Sequence, residues 1–164
     1  MRLFIAIQLD DAMRGALIDM QREMRRQNVQ GNYAPPENLH LTLAFIGDYP
    51  DPEAVLEVLP DFAPIELRLS GVGAFGDLWW AGLARSDALD DYVRRLRRAL
   101  ADAAIPFDRK RFSPHITLVR RAAGRPTLAP PAAAMTARRV SLMRSDRSKA
   151  GMIYTELGGV DATL

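Results

Sequence analysis

The chain contains two histidines, and both stand in the same four-residue pattern: His40-Leu41-Thr42-Leu43 and His115-Ile116-Thr117-Leu118. Each copy reads as a strand. Residues i and i+2 of a strand share a face. His40 and Thr42 therefore share one face, with Leu39, Leu41, Leu43 and Phe45 on the other. His115 and Thr117 share a face in the same way, backed by Ile116 and Leu118. An imidazole, with an ordinary pKa near ~6.5, donates or accepts a proton at neutral pH. One neutral and one protonated imidazole on opposite sides of a phosphodiester make a general base and a general acid, each worth ~10²–10⁴-fold in rate. The base activates a water for in-line attack on phosphorus, and the acid protonates the departing oxygen. Thr42 and Thr117 can donate to the non-bridging oxygens, where charge builds in the transition state. A lone histidine in an alternating strand is ordinarily structural. Two copies of one pattern that use every histidine in the chain point to chemistry instead.

Other chemistries lack their residues. There is no cysteine and no third histidine, so a zinc site is poorly supplied and thiolate chemistry is excluded. The glycines at 71, 73 and 76 are not followed by the Lys-Ser/Thr of a phosphate-binding loop, and no Gly-x-Ser-x-Gly elbow occurs. A Ser/His/Asp triad would use one histidine and leave its twin unexplained.

The elements around the two motifs repeat as well. Leu3-Phe4-Ile5-Ala6-Ile7 precedes His40 by the same number of residues as Leu78-Trp79-Trp80-Ala81-Gly82 precedes His115. A helical pattern lies between strand and motif in each half. After Asp10 or Asp11 as cap, Met13, Leu17, Met20 and Met24 form the first apolar stripe. Asp87 is the expected cap of the second helix, with Leu89, Val93, Leu96 and Leu100 as its stripe. Arg94, Arg95, Arg97 and Arg98 rim that stripe and read as a solvated face rather than an RNA contact. A looser third match pairs strand-like Ile65 to Leu69 with Val140 to Met143. Two copies are too few for a stacked array. The repeat therefore predicts two pseudo-twofold lobes with their His/Thr strands facing each other across a cleft. Of the remaining chain, Pro52 opens a short helix ending about Leu59, and the glycines from 71 to 76 predict a bend or bulge. Residues 122 to 137 read as a loop. Val140 to Arg144 and Met152 to Leu157 read as a hairpin. Of Trp79 and Trp80, one faces the core and the other outward.

The net charge is +2, but residues 1–82 carry −6 and residues 83–164 carry +8. A basic half suits an anionic partner such as a nucleic-acid backbone; an arginine-rich solvated surface is the alternative. The absence of cysteine suits a reducing compartment, and a cytoplasmic location is expected. The N-terminal apolar run is too short for a signal peptide. No apolar run approaches the ~20 residues of a membrane span.

The paired motifs resemble those of the two-histidine (2H) phosphoesterase superfamily. The flanks Pro35-Pro36-Glu37-Asn38-Leu39 before His40 and Phe112-Ser113-Pro114 before His115 are similar to one branch of it, the bacterial and archaeal RNA 2′,3′-cyclic phosphodiesterases, also called 2′-5′ RNA ligases. The opening Arg2-Leu3-Phe4-Ile5-Ala6-Ile7 and the segment from Leu142 to Tyr154 are similar too. The resemblance implies an α+β, bilobal, pseudo-twofold fold. Two antiparallel sheets would face a central cleft with helices outside, all within one domain over residues 1–164. It implies metal-independent opening of a terminal ribose 2′,3′-cyclic phosphate to a 2′-phosphate, without a cofactor. His40 would be the proton donor and His115 the proton acceptor, with Thr42 and Thr117 on the substrate. The partner would be an RNA 3′ end or a nucleotide, and the protein a monomer. Some relatives also join RNA ends through a 2′-5′ bond. Arg120 matches the arginine closing the family's second motif and would meet phosphate, although strict alternation puts it opposite His115. Tyr33 stands where relatives often carry tryptophan, to stack on a base or to pack under the loop. Alternatives are a phosphodiesterase of a small non-RNA cyclic phosphate, and a nucleotide- or RNA-binding module without turnover.

Overall fold

The protein is described by a computed structural model covering residues 1–163. Its order is β1 (Arg2–Gln8), α1 (Asp11–Arg26), β2 (Gln30–Tyr33), a 3-10 turn (Pro36–Asn38), β3 (His40–Asp48), α2 (Pro52–Val58), β4 (Ile65–Phe75), β5 (Leu78–Leu83), α3 (Asp87–Asp102), β6 (His115–Ala123), β7 (Ala134–Ala137), β8 (Arg139–Ser148) and β9 (Gly151–Asp161). The strands form two antiparallel sheets, in the orders β3-β1-β8-β9 and β2-β6-β5-β4-β7. This is the α+β, two-sheet arrangement that the family resemblance implies.

The repeats are interlocked rather than side by side. The strand that follows the first motif, β4, pairs with β5 of the second sheet. The strands that follow the second motif, β8 and β9, complete the first sheet. The helices cross over too: α1 lies against β6 and β7, and α3 against β3. One continuous apolar core results, including Leu3, Ile5 and Ile7 of β1, the α1 stripe Met13, Leu17, Met20 and Met24, and the α3 stripe Leu89, Val93, Leu96 and Leu100. Gln21 is buried in this core. Its side-chain amide donates to the Ala34 and Leu118 carbonyls, each at 2.9 Å, which ties α1 to the second motif's own strand and to the residue that follows its neighbour β2. A buried amide with two partners avoids the ~1–3 kcal/mol cost of an unsatisfied polar group.

Both long helices start on the expected logic. Asp10 accepts from the Met13 amide at 2.8 Å. The second cap is Ser86, one residue before the expected Asp87. Its hydroxyl accepts from the Leu89 amide at 3.1 Å, and Asp87 is the first helical residue, where its charge favours the helix dipole. Residues 122 to 137 are not wholly a loop: β6 runs to Ala123, and Ala134–Ala137 pair with Ile65 to Arg68. Gly71 and Gly73 stay in β4, with a register break between Leu69 and Val72 and with Gly71 at φ +77°, and Gly76 lies in the turn to β5. The closing hairpin is longer than expected at both ends.

Candidate functional site

The histidines open their strands. Gln8 lies opposite His40 in the β1–β3 ladder, and Gly82 opposite His115 in the β5–β6 ladder. Their environments match atom for atom on one side of the ring. Nδ1 of His40 lies 2.6 Å from the Asn38 carbonyl, and Nδ1 of His115 lies 2.7 Å from the Ser113 carbonyl. A carbonyl only accepts, so each Nδ1 carries the hydrogen, and Nε2 is the nitrogen left to gain or lose a proton. On the other side the two differ. His40 Nε2 lies 2.8 Å from Thr42 Oγ1. No such bond joins His115 to Thr117 among the described residues.

Each imidazole is flanked by two aromatic rings. Around His40 stand Phe4 at 5.0 Å and Tyr154 at 5.2 Å, the latter edge-on at 85°. Around His115 stand Phe75 at 5.1 Å, also edge-on at 85°, and Trp80 at 6.2 Å. Phe4 and Ala6 bury the second face of β1 with Met143, and Tyr154 packs against them. Trp79 packs on the core, and Trp80 is the outward one, on the His115 face. Gly73 lies opposite Trp80, and a Cβ there would overlap the indole. Sequence reasoning passes over Phe4, Phe75 and Tyr154. The one signal they carry is being aromatic at strand positions whose cross-strand partners only pairing reveals.

Two β-bulges decide which side chains reach the cleft. In β3, Ala6 pairs Thr42 and Ile5 pairs Ala44, so Leu43 is extra. Leu43 and Ala44 both bury, and Phe45 moves to the His40 face, opposite to the face expected for it; it is 51% exposed and lies 6.2 Å from Phe4. The same step recurs in β6, where Trp80 pairs Thr117 and Trp79 pairs Val119. Leu118 and Val119 both bury, which carries Arg120 to the His115 face rather than the opposite one. A third irregularity follows at once. Between the β2 partners of Arg120 and Ala123 the register slips again, and Arg121 sits at φ +53°. A non-glycine residue there costs ~1–3 kcal/mol.

The result is a cleft of about 670 Å³ whose lining includes His40 from one motif and Thr117 from the other, together with Tyr33, Arg120, Arg121 and Tyr154. His115 and Arg120 are close enough for their charges to act on His40. Burial pushes the His40 pKa below its ordinary value, those two positive charges push the same way, and the bond to the Asn38 carbonyl opposes them. Tyr33 lines the cleft, but its hydroxyl donates to the Val29 carbonyl at 2.6 Å, and the Arg25 guanidinium covers one ring face at 4.0 Å. One face of Tyr33 is therefore already occupied. No group of three or more His, Cys, Asp or Glu side chains that could hold a metal ion occurs among the described residues. No described helix is long and apolar enough to cross a membrane.

The sequence profile of the 2′-5′ RNA ligase superfamily matches residues 14–149. The chain belongs to this superfamily. Among relatives of this 2′-5′ RNA ligase superfamily member, a Thermus thermophilus protein named RNA 2′,3′-cyclic phosphodiesterase is 32% identical, over 96% of this chain and 88% of the relative. A Geobacillus stearothermophilus protein of the same name is 30% identical over 79% of this chain; the match spans 45% of that protein's length. Among solved structures, E. coli LigT superposes on the superfamily member with a TM-score of 0.86 and 27% identity, covering 99% of this chain and 98% of LigT. LigT has also been crystallised with 3′-AMP. The likeness runs through both sheets, the two layers that carry the histidine strands.

Proposed function

We propose that the protein hydrolyses the 2′,3′-cyclic phosphate of an RNA 3′ end or nucleotide to a 2′-phosphate. His115 takes the proton of a water that attacks phosphorus in line. The P–O3′ bond breaks, and His40 delivers its proton to the departing 3′ oxygen. One proton is taken and one given, so the next turnover needs only proton exchange with solvent. The observation that carries the reading is the matched pair of Nδ1–carbonyl bonds at His40 and His115. They fix the same tautomer in both rings and reserve Nε2 for proton transfer. In the resting protein the lowered pKa of His40 makes it a stronger acid than an ordinary imidazolium once protonated. The arriving phosphate anion offsets the charge of Arg120 and so favours that protonation. Thr42 then gives up its bond to Nε2 and, with Thr117 and Arg120, stabilises the non-bridging oxygens. No step of this sequence calls for a metal ion or a cofactor. The names of the Thermus and Geobacillus relatives, and the nucleotide bound by LigT, support the same substrate chemistry.

The deciding experiment is product identification from a 2′,3′-cyclic nucleotide in excess chelator. A 2′-phosphate formed at an undiminished rate is expected. A 3′-phosphate would reverse the acid and base assignment, and loss of turnover in chelator would refute the metal-free route.

A further inference from the structure

Some cations away from the cleft are neutralised: Arg94 and Arg95 of α3 share Asp91, Arg139 bridges Glu156 and Asp161, and Arg144 pairs with Asp146. Arg120, Arg121, Arg147 and Lys149 all line the cleft, and none of the four forms an ion pair among the described residues. The left-handed backbone at Arg121 lets two consecutive arginines of one strand line the same cavity, which regular alternation forbids.

Arg147 lies at the end of β8 and Lys149 in the β8–β9 turn, and that turn is held firmly. Ser148 Oγ donates to the Gly151 carbonyl at 2.7 Å and accepts from the Ala150 amide at 3.2 Å. One strand residue on, the Asn38 side chain donates to the Met152 carbonyl at 2.9 Å. Asn38 is the residue whose own carbonyl holds His40. The basic turn and the imidazole are therefore referenced to one residue.

A terminal cyclic phosphate carries a single negative charge. Arg120 and a histidine already serve it under the function proposed above. Three further unpaired cations in the same cleft exceed what a mononucleotide needs. We propose that Arg121, Arg147 and Lys149 form a subsite for a second phosphate, the internucleotide phosphate on the 5′ side of the terminal nucleotide. The preferred substrate is then an oligoribonucleotide that ends in a cyclic phosphate. This inference rests on the proposed function, and its test separates the two.

Wild type and an Arg147→Ala/Lys149→Ala double variant are assayed on a cyclic mononucleotide and on a dinucleotide ending in the same cyclic phosphate. The dinucleotide-to-mononucleotide ratio of kcat/KM should fall ten-fold or more in the variant. In wild type the log–log salt dependence for the dinucleotide should be steeper than in the variant by roughly 0.7, the value for one neutralised phosphate on a single strand. An unchanged ratio with an unchanged salt slope overturns the subsite. If wild type turns over neither substrate, the proposed function fails, and equilibrium binding decides the subsite alone. A dinucleotide with a 3′-phosphate should bind wild type more tightly than the mononucleotide 3′-phosphate, and the double variant should lose that margin. Equal binding of the two ligands by wild type refutes the subsite.

Discussion

The Thr42 hydroxyl lies 2.8 Å from His40 Nε2, so the first motif closes on itself as the second does not. With Nδ1 donating to the Asn38 carbonyl, neutral Nε2 accepts from Thr42, and the ring is held on both sides. Thr42→Val keeps the shape and removes the donor. A hydrogen bond to a charged group is worth ~1.5–3 kcal/mol, or about 10- to 150-fold. Thr42→Val and Thr117→Val should each lower kcat for a cyclic nucleotide within that range. Near-wild-type kcat in both variants would remove the threonines from the mechanism.

The histidines themselves should be unequal in stability and equal in turnover. His40→Ala and His115→Ala should each cost ~10²–10⁴-fold in kcat, because each removes one proton transfer. His40, packed against Phe4 and Tyr154, should also lower the melting temperature when truncated. Thermal melts alongside steady-state rates check both statements. A single variant with a near-normal rate would show that the pair does not act together.

The buried imidazole makes a pH prediction with a definite sign. The native pKa of His40 lies below its ordinary value of 6.5. The unfolded chain therefore binds this proton more readily. The stability from keeping His40 neutral is fully present above pH 6.5 and is lost as pH falls towards the native pKa. His40→Gln should flatten that part of the stability–pH curve, read as urea midpoints from about pH 8 down to about pH 5. Arg120→Ala removes a positive charge that acts on His40, so the His40 pKa should rise in an NMR titration. An unchanged pKa would mean the guanidinium does not act on the ring.

Arg121 stores backbone strain beside the cleft. Glycine adopts φ near +53° without a Cβ penalty, so Arg121→Gly should raise stability by about 1 kcal/mol despite losing a side chain. The same variant should bind a dinucleotide more weakly. Higher melting temperature with weaker binding is the expected pair of results, and a lower melting temperature would contradict the strain.

Gly73→Ala should act on the second histidine from a distance. The added methyl overlaps the Trp80 indole, which stands 6.2 Å from His115. Moving that ring disturbs one wall of the His115 pocket, with a destabilisation of ~1–3 kcal/mol as for other overpacked sites. Turnover should drop further than in Gly15→Ala, where nothing lies within 4 Å of the new methyl. Equal effects would show that Trp80 does not support His115.

The sequence by itself determined the candidate residues and most of the elements: two histidines in one repeated pattern, helices with apolar stripes, and strands with the right period. These are local properties, set by side-chain type and spacing along the chain. The caps show the limit of that reading, since Ser86 and Asp87 are both good caps and only backbone geometry chose Ser86. Tertiary structure decided the rest. β7 formed from a proline- and alanine-rich stretch because the edge of β4 offered it partners, a preference no local pattern carries. β4 and β8 each joined the other repeat's sheet, β4 beside β5 and β8 beside β1, which lets Ile65, Leu67, Val140 and Leu142 share one core. Phe45 and Arg120 reached the histidine faces only because a bulge in each ladder adds one residue. A bulge is fixed by the register between two strands, and register is a property of the pair, which neither strand encodes alone.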